Sequence, residues 1–244
     1  MAIGTVRCVV FDLDDTLWNT IDTLTNAHEA MCVELAKRYP EVASQFGSLA
    51  AFRAEMMRSM DENPDRSHDF TFLRLVTLQR LTGSEKDAAV IFEVWYRSRN
   101  KPVLFAGVRE ALQLLRAAGL KVGTLTDGNA DPKSMVALCE VVDFCVNSVE
   151  AGAPKPEPQP FALCEQKAGC SAAEMVMVGD NFDKDIAGAL RAGWRAIWVR
   201  PPSSGSANGS IFDLTAKAPG TEEQANATVN HVAEVEAVLR SWSA

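Results

Sequence analysis

Four segments of this chain place acids, a hydroxyl or a lysine at or just beyond the end of an apolar run. They are Phe11-Asp12-Leu13-Asp14-Asp15-Thr16-Leu17, Thr126-Asp127-Gly128-Asn129, Gly152-Ala153-Pro154-Lys155-Pro156 and Gly179-Asp180-Asn181-Phe182-Asp183-Lys184-Asp185. Residues two apart in an extended segment point the same way, so Asp12 and Asp14 can share a face. Two carboxylates that close repel each other unless a cation or a proton intervenes. Mg²⁺ is a hard cation that takes oxygen ligands and would resolve the conflict. Thr126, a hydroxyl with glycine close behind it, suits a phosphate oxygen. Lys155, with proline on both sides, brings the opposite charge on a stiff loop. Phosphoryl transfer needs charge neutralisation and in-line positioning, which a metal, a lysine and backbone amides supply. A carboxylate can also be the nucleophile, splitting the reaction through an aspartyl phosphate.

These residues converge only if the elements before them lie side by side. Val6–Phe11, Lys121–Leu125, Phe144–Val149, Met175–Val178 and Ala196–Val199 are short apolar, β-branched runs that read as buried parallel strands. Amphipathic helices separate them. Val108, Leu112 and Leu115 share one helical face closed by Gly119, Asp131-Pro132 opens a further helix, and Pro160–Ala168 and Asp183–Ala192 supply two more. Strands alternating with helices predict a Rossmann-like, doubly wound α/β sheet, whose ligands bind beyond the carboxyl ends of the strands.

The alternation breaks once. Between the first strand and Pro102 no convincing strand appears, and three apolar stripes recur at helical spacing. They are Leu17, Ile21, Leu24, His28, Met31 and Leu35; then Phe72, Leu75 and Val76; then Ala88, Phe92, Trp95 and Tyr96. The domain expectation is an α/β core over 1–17 and 103–244, with a small helical domain over 18–102. Glu62-Asn63-Pro64-Asp65 reads as a turn within the insert. Residues 201–228, rich in Ser, Gly, Ala and Pro, read as loop, and Val232, Val235, Val238, Leu239 and Trp242 as a last packing helix.

Composition narrows the partners. The chain has 244 residues, 47% hydrophobic and 23% charged, with a formal net charge of −8 and no Lys/Arg-rich run. Nucleic acid and anionic membrane surfaces are therefore not expected partners. The six cysteines show no metal-type spacing and read as small buried hydrophobes in a reducing compartment. The N-terminal apolar run is closed by Asp12, Asp14 and Asp15, unlike a signal peptide, and no run is long enough to span a membrane. The cytoplasm is the expected location; oligomeric state is not legible.

Asp12-Leu13-Asp14-Asp15-Thr16 resembles the first motif of the haloacid-dehalogenase-like hydrolases. Thr126 matches their second, Lys155 their third, and Gly179-Asp180 with Asp185 their fourth, in the family's order and spacing. The insert after the first motif is similar to that family's helical cap. The resemblance implies that Asp12 attacks phosphorus and that Asp14 protonates the leaving oxygen, then deprotonates the hydrolytic water. It implies Mg²⁺ on Asp12, Asp180 and the backbone carbonyl of Asp14, and a phosphoryl group on Thr126, Asp127 and Lys155. Thr16 and Asp185 are implied to support these groups, with Asp183 a weaker candidate for the same task. The expected activity is phosphatase action on a small phosphorylated metabolite. The stretches Thr126–Ala130 and Trp198–Pro201 are similar to members acting on flavin mononucleotide or its ribityl-phosphate precursor, although most relatives carry asparagine where this chain has Asp127. A dehalogenase, a phosphomutase and an inactive binding module are the rivals. Displacing halide from carbon needs neither a leaving-group acid nor a metal, so Asp14 and Asp180 favour phosphate chemistry.

Other conspicuous residues have plainer readings. His28 lies on an apolar stripe and reads as a packing histidine, and Met56, Met57 and Met60 as core. Arg66, His68 and Arg74 read as a solvated helix face, and Trp194 and Trp198 as packing around the last strand.

Overall fold

The computed structural model describes residues 5–200 and 224–242. They form two compact units: 5–19, 104–127, 131–200 and 224–242 in one, and 20–103 with 128–130 in the other.

The first unit is built on a six-stranded, wholly parallel sheet. In chain order the strands are β1 (Cys8–Phe11), β2 (Lys121–Thr126), β3 (Phe144–Asn147), β4 (Met175–Gly179), β5 (Arg195–Val199) and β6 (Ala227–Val229). Their spatial order is β3-β2-β1-β4-β5-β6. The chain winds from β1 outward to β3, then returns to the other side of β1 and winds outward to β6. The order therefore reverses between β1 and β4, which pair in register from Cys8 opposite Met175 to Phe11 opposite Val178. A crevice outside the carboxyl ends of the strands opens at such a reversal.

Every residue of β1 and β4 is buried, as expected of strands covered on both faces. Alternation sends Cys8 and Val10 to one face, where they join Met175, Met177, Phe161, Cys164, Ile186 and Trp194 in one apolar cluster. The Phe161 and Trp194 rings meet edge-on there, 5.3 Å between centroids, and Trp194 Nε1 donates to Glu165 at 2.8 Å. Val108, Leu112 and Leu115 are fully buried on the Val108–Ala117 helix, as their spacing predicts. Gly119 follows that helix with φ 87°, a conformation few residues but glycine adopt cheaply.

Several expectations are corrected. The helix read at Asp131-Pro132 is one 3₁₀ turn, Pro132–Ser134: Asp131 does cap the Lys133 N–H, but no apolar repeat sustains the helix. The third strand stops at Asn147, whose side chain caps a short helix over Ser148–Ala151. The helix read from Asp183 starts one residue earlier as a π-helical turn, Phe182–Ala187, capped by Asn181. Within the loop read over 201–228, residues 201–223 lie outside those described, while Ala227–Val229 pairs with β5 as a sixth strand. The last helix, Val235–Ser241, buries Val235 and Leu239. All six cysteines are free, but Cys32, Cys139 and Cys145 are only partly buried.

The second unit is helical, with helices over Thr20–Ala36, Pro40–Gln45, Leu49–Glu62, Phe70–Thr82 and Glu85–Arg99. The turn read at Glu62–Asp65 is there, leading into a single 3₁₀ turn at Pro64–Arg66. Ser48, Asp69 and Ser84 cap three helices by accepting backbone N–H bonds. All three stripes differ from the sequence reading, the third in that Phe92 and Tyr96 are half-buried while Ile91 and Arg99 are buried with Ala88 and Trp95. Thr20 replaces Ile21, which is 44% exposed, and Leu73, Arg74, Thr77 and Leu78 are buried in place of Phe72, Leu75 and Val76. Of the methionines, Met56 is core, whereas Met57 and Met60 are half-buried.

Candidate active site

The site grows from the ends of β1, β2 and β4 and the loop after β3. Asp12 is the first residue beyond β1, and its backbone N–H donates to the Val178 carbonyl of β4 at 2.9 Å. That bond carries the ladder one residue past the strand and sets Asp12 beside Gly179 and Asp180. The chain then turns back: Asp15 takes φ 59° and its N–H donates to the Trp18 carbonyl at 2.9 Å, while the Trp18 indole donates to the Asp14 carboxylate at 2.8 Å. Trp18 is fully buried, so Asp14 is oriented by a fixed donor.

Lys155 is the hub. Its ammonium donates to Asp12 Oδ1 at 2.5 Å, to Asp185 Oδ1 at 2.6 Å and to the Leu125 carbonyl at 3.2 Å. The residue is 4% exposed, so all three donors are spent inside the protein. Asp127 braces the same loop, accepting the Lys155 backbone N–H at 2.8 Å. The bond from Lys155 to Pro156 is cis.

Asp185 is fully buried, with its second oxygen accepting the Asn181 N–H at 3.0 Å. A Cβ placed on Gly179 would fall 2.2 Å from Asp185 Oδ2, so only glycine ends β4 with this carboxylate so close. Thr16 donates to Asp180 Oδ1 at 2.9 Å, and the Trp198 indole donates to the Asp180 carbonyl at the same distance. Trp198 therefore holds a residue of the site as well as packing on Phe182, 4.9 Å away.

The electrostatics show a shortage of positive charge. One carboxylate oxygen each from Asp12, Asp180 and Asp185 lie within 4.8 Å of one another. Burial raises the Asp12 carboxyl well above its ordinary range, more than Lys155 can offset. Burial, then Asp185 and Asp15, push Asp180 up to about 7. Burial raises Asp185 too. Burial also works to lower the Lys155 ammonium, but Asp12 and Asp185 outweigh it and keep it charged. One ammonium cannot neutralise three crowded carboxylates.

A divalent hard cation fits this donor set. Mg²⁺ takes oxygen ligands, and its charge would supply the neutralisation that one ammonium does not. Asp12 and Asp180 can serve as ligands; Asp185, with one oxygen on Lys155 and the other on Asn181, is already engaged.

Of the residues singled out in the sequence, the structure bonds Asp12, Lys155 and Asp185 into one cluster and sets the bonded Thr16–Asp180 pair beside it. Thr126 ends β2 and is buried. Asp14 lies outside the carboxylate trio, bonded to Trp18. Asp127 directs its carboxylate to the Lys155 backbone, with Lys184 Nζ 3.6 Å from the other oxygen. Sequence reasoning missed Trp18, Trp198 and Asn181, whose donors orient the acids. A tryptophan four residues after Asp14, inside the motif loop, was the one available signal.

A parallel sheet that reverses order beside an aspartate, with a buried lysine clamped on it, is the frame of a known hydrolase family. The model of the haloacid dehalogenase-like hydrolases matches residues 6–193, and the chain belongs to that family. Among similar proteins is the 5-amino-6-(5-phospho-D-ribitylamino)uracil phosphatase YigB of Escherichia coli (strain K12). It is 25% identical over 211 residues, which cover 82% of this chain and 85% of that one. A phosphoglycolate phosphatase of Chromobacterium violaceum is 26% identical over 259 residues, 99% of this chain and all of that protein. The crystal structure of a 2-haloacid dehalogenase from Pseudomonas syringae pv. Tomato DC3000 superposes with a TM-score of 0.81 at 29% identity, covering 97% of this chain and 99% of that one.

Proposed function

We propose that this chain is a magnesium-dependent phosphatase that hydrolyses a small phosphorylated metabolite through an aspartyl phosphate. The observation that carries the reading is the Lys155 ammonium clamped between Asp12 and Asp185, with the Asp180 carboxylate beside them. Mg²⁺ on Asp12, Asp180 and the Asp14 backbone carbonyl would supply charge neutralisation for the phosphoryl oxygens. Asp12 attacks phosphorus in line with the leaving oxygen, and the bond to that oxygen breaks as Asp14 protonates it. Asp14 then takes a proton from water, which attacks the aspartyl phosphate and frees Asp12 and inorganic phosphate. The Trp18 indole keeps Asp14 pointed for both transfers. Thr126 holds the transferring group with the Lys155 charge beside it, and Asp127 contributes by fixing the Lys155 loop. The helical unit serves as the cap that the family likeness implies.

The likeness to YigB supports a substrate carrying phosphate on a ribityl or similar polyol chain, such as flavin mononucleotide or its ribitylamino precursor. The dehalogenase of Pseudomonas syringae favours a second reading, attack of Asp12 on a carbon that bears a halide. That chemistry gives the crowded Asp12–Asp180–Asp185 trio nothing to do, so phosphate transfer is preferred. The deciding assay follows p-nitrophenyl phosphate hydrolysis by wild type and Asp12→Asn, with Mg²⁺ and then EDTA, alongside halide release from 2-chloropropionate. Turnover lost in both the variant and EDTA supports the phosphatase. Halide release without phosphate release supports the dehalogenase. A panel of phosphorylated metabolites with flavin mononucleotide among the poorest would refute the ribityl assignment alone.

A further inference from the structure

The helical unit buries two arginines, and for Arg74 no acid is at hand. Arg74, read from sequence as part of a solvated face, is 2% exposed, and Arg99 is equally buried. The Arg74 guanidinium lies over the Trp95 ring, 3.7 Å from its centroid, and 5.2 Å from that of Phe52. Its Nε and one terminal nitrogen are buried without a hydrogen-bond partner, and so is the indole nitrogen of Trp95, itself 1% exposed. His28, also buried, has Nδ1 unpartnered while Nε2 faces the Phe46 and Gly47 carbonyls. Burial, and then repulsion from Arg99, push the Arg74 guanidinium down to about 9, with no carboxylate acting against them. A buried, unpaired charge beside a like charge is costly, and so is each buried donor left unmet. The other arginines described with ion pairs in this unit, at positions 38, 58, 66, 80 and 97, each meet a carboxylate within 4.0 Å.

We propose that Arg74, with the Trp95 indole and the nearby charge of Arg99, forms an oxyanion-binding site within the helical unit, for a carboxylate or phosphate group of a small molecule. The anion accepts from the unmet donors of Arg74 and Trp95 and offsets the buried positive charge, while the Trp95 ring holds the guanidinium by cation–π contact. The site stands apart from the catalysis proposed above and does not depend on it.

The test reads the tryptophan indole N–H resonances of the whole protein in a chloride-free buffer, with Trp95 assigned from Trp95→Phe. Inorganic phosphate is titrated first, then malonate. The Trp95 resonance is expected to move saturably, and Arg74→Met to weaken that binding about tenfold to a hundredfold, the worth of one charged hydrogen bond. Movement with phosphate alone identifies a phosphate group as the ligand, and movement with malonate a carboxylate. The indoles of Trp18 and Trp198, bonded to Asp14 and to the Asp180 carbonyl, report the catalytic site separately, so phosphate held only there moves them and leaves Trp95 still. A Trp95 resonance that stays in place through both titrations of the wild type overturns the proposal, whether or not Arg74→Met folds. So does a Trp95 response that Arg74→Met leaves unchanged.

Discussion

Stripping divalent cations should make this protein lose stability as pH rises through neutrality. The Asp180 carboxyl sits at about 7 in the fold against an ordinary 3.8, and Asp12 and Asp185 are raised in the same sense, each chiefly by burial. Between those limits the folded protein keeps a proton that the unfolded chain has released. The slope of stability with pH follows protons bound unfolded minus protons bound folded, which is negative here. One retained proton costs about 1.4 kcal/mol for each step of one in pH, so Asp180 alone removes about 2 kcal/mol between pH 5.5 and 7.5. For a chain of this size that corresponds to a Tm lower by roughly 4–8 °C.

The assay is calorimetry in EDTA at pH 5.5, 6.5 and 7.5, on wild type and Asp180→Asn. His28, which burial holds below its ordinary value, titrates in the opposite sense in both proteins, so their difference cancels its contribution and reports Asp180 with its effect on Asp12. With saturating Mg²⁺ the carboxylates' contribution to the wild-type slope should vanish. As pH climbs toward 7, Mg²⁺ affinity should rise about tenfold per pH step of one for each proton displaced. Chelated wild type that gains stability relative to Asp180→Asn as pH rises would refute the account of the trio.

Asp14→Ala should slow turnover by about 10²–10⁴-fold and lower the melt by a few degrees, because the change removes a proton carrier and the acceptor of the buried Trp18 indole while leaving the Lys155 cluster intact; unchanged steady-state rates would assign the proton to another group. Gly179→Ala drives a methyl group to 2.2 Å from Asp185 Oδ2. Urea unfolding should show a loss of about 1–3 kcal/mol, and a wild-type midpoint would mean that Asp185 is not held against β4. Trp18→Phe removes the indole N–H that orients Asp14, so kcat should fall by up to about tenfold, the worth of one hydrogen bond, with KM little changed. A fall confined to KM would place Asp14 outside the chemical step.

Much of this is legible because burial on both faces writes itself into sequence. β1, β2, β4 and β5 are mainly apolar runs, the first three ended by Asp, Thr or Gly, and their bounds fall within two residues of the expected ones. β6 is invisible there: Ala227-Thr228-Val229 is three residues long, and only its pairing with β5 marks it as a strand. Equating charge with exposure misplaces Arg74, whose spacing to Thr77 and Leu78 puts it on the buried stripe. The acids of the site announce themselves by type and order, but their partners do not. Which carboxylate Lys155 grips, and that Trp18 and Trp198 aim Asp14 and Asp180, depend on strands and loops brought together from across the chain, and no local pattern encodes such contacts.

The net charge of −8 raises the question of how such a protein could attract a phosphate dianion. The site answers it by an internal imbalance. Lys155 is spent on Asp12, Asp185 and a carbonyl, so as it stands the cluster offers an incoming anion no free ammonium donor. A divalent cation would supply the missing positive charge for an anion, and the same cation would return Asp12 to the ionised form a nucleophile requires. Binding of phosphate should therefore be ordered behind binding of the metal. In EDTA, phosphate should leave the Trp18 and Trp198 resonances unmoved, and added Mg²⁺ should restore their response. If phosphate moved those resonances equally well without the metal, Lys155 would be available as an anion ligand by itself, and the charge balance argued for the site would be wrong.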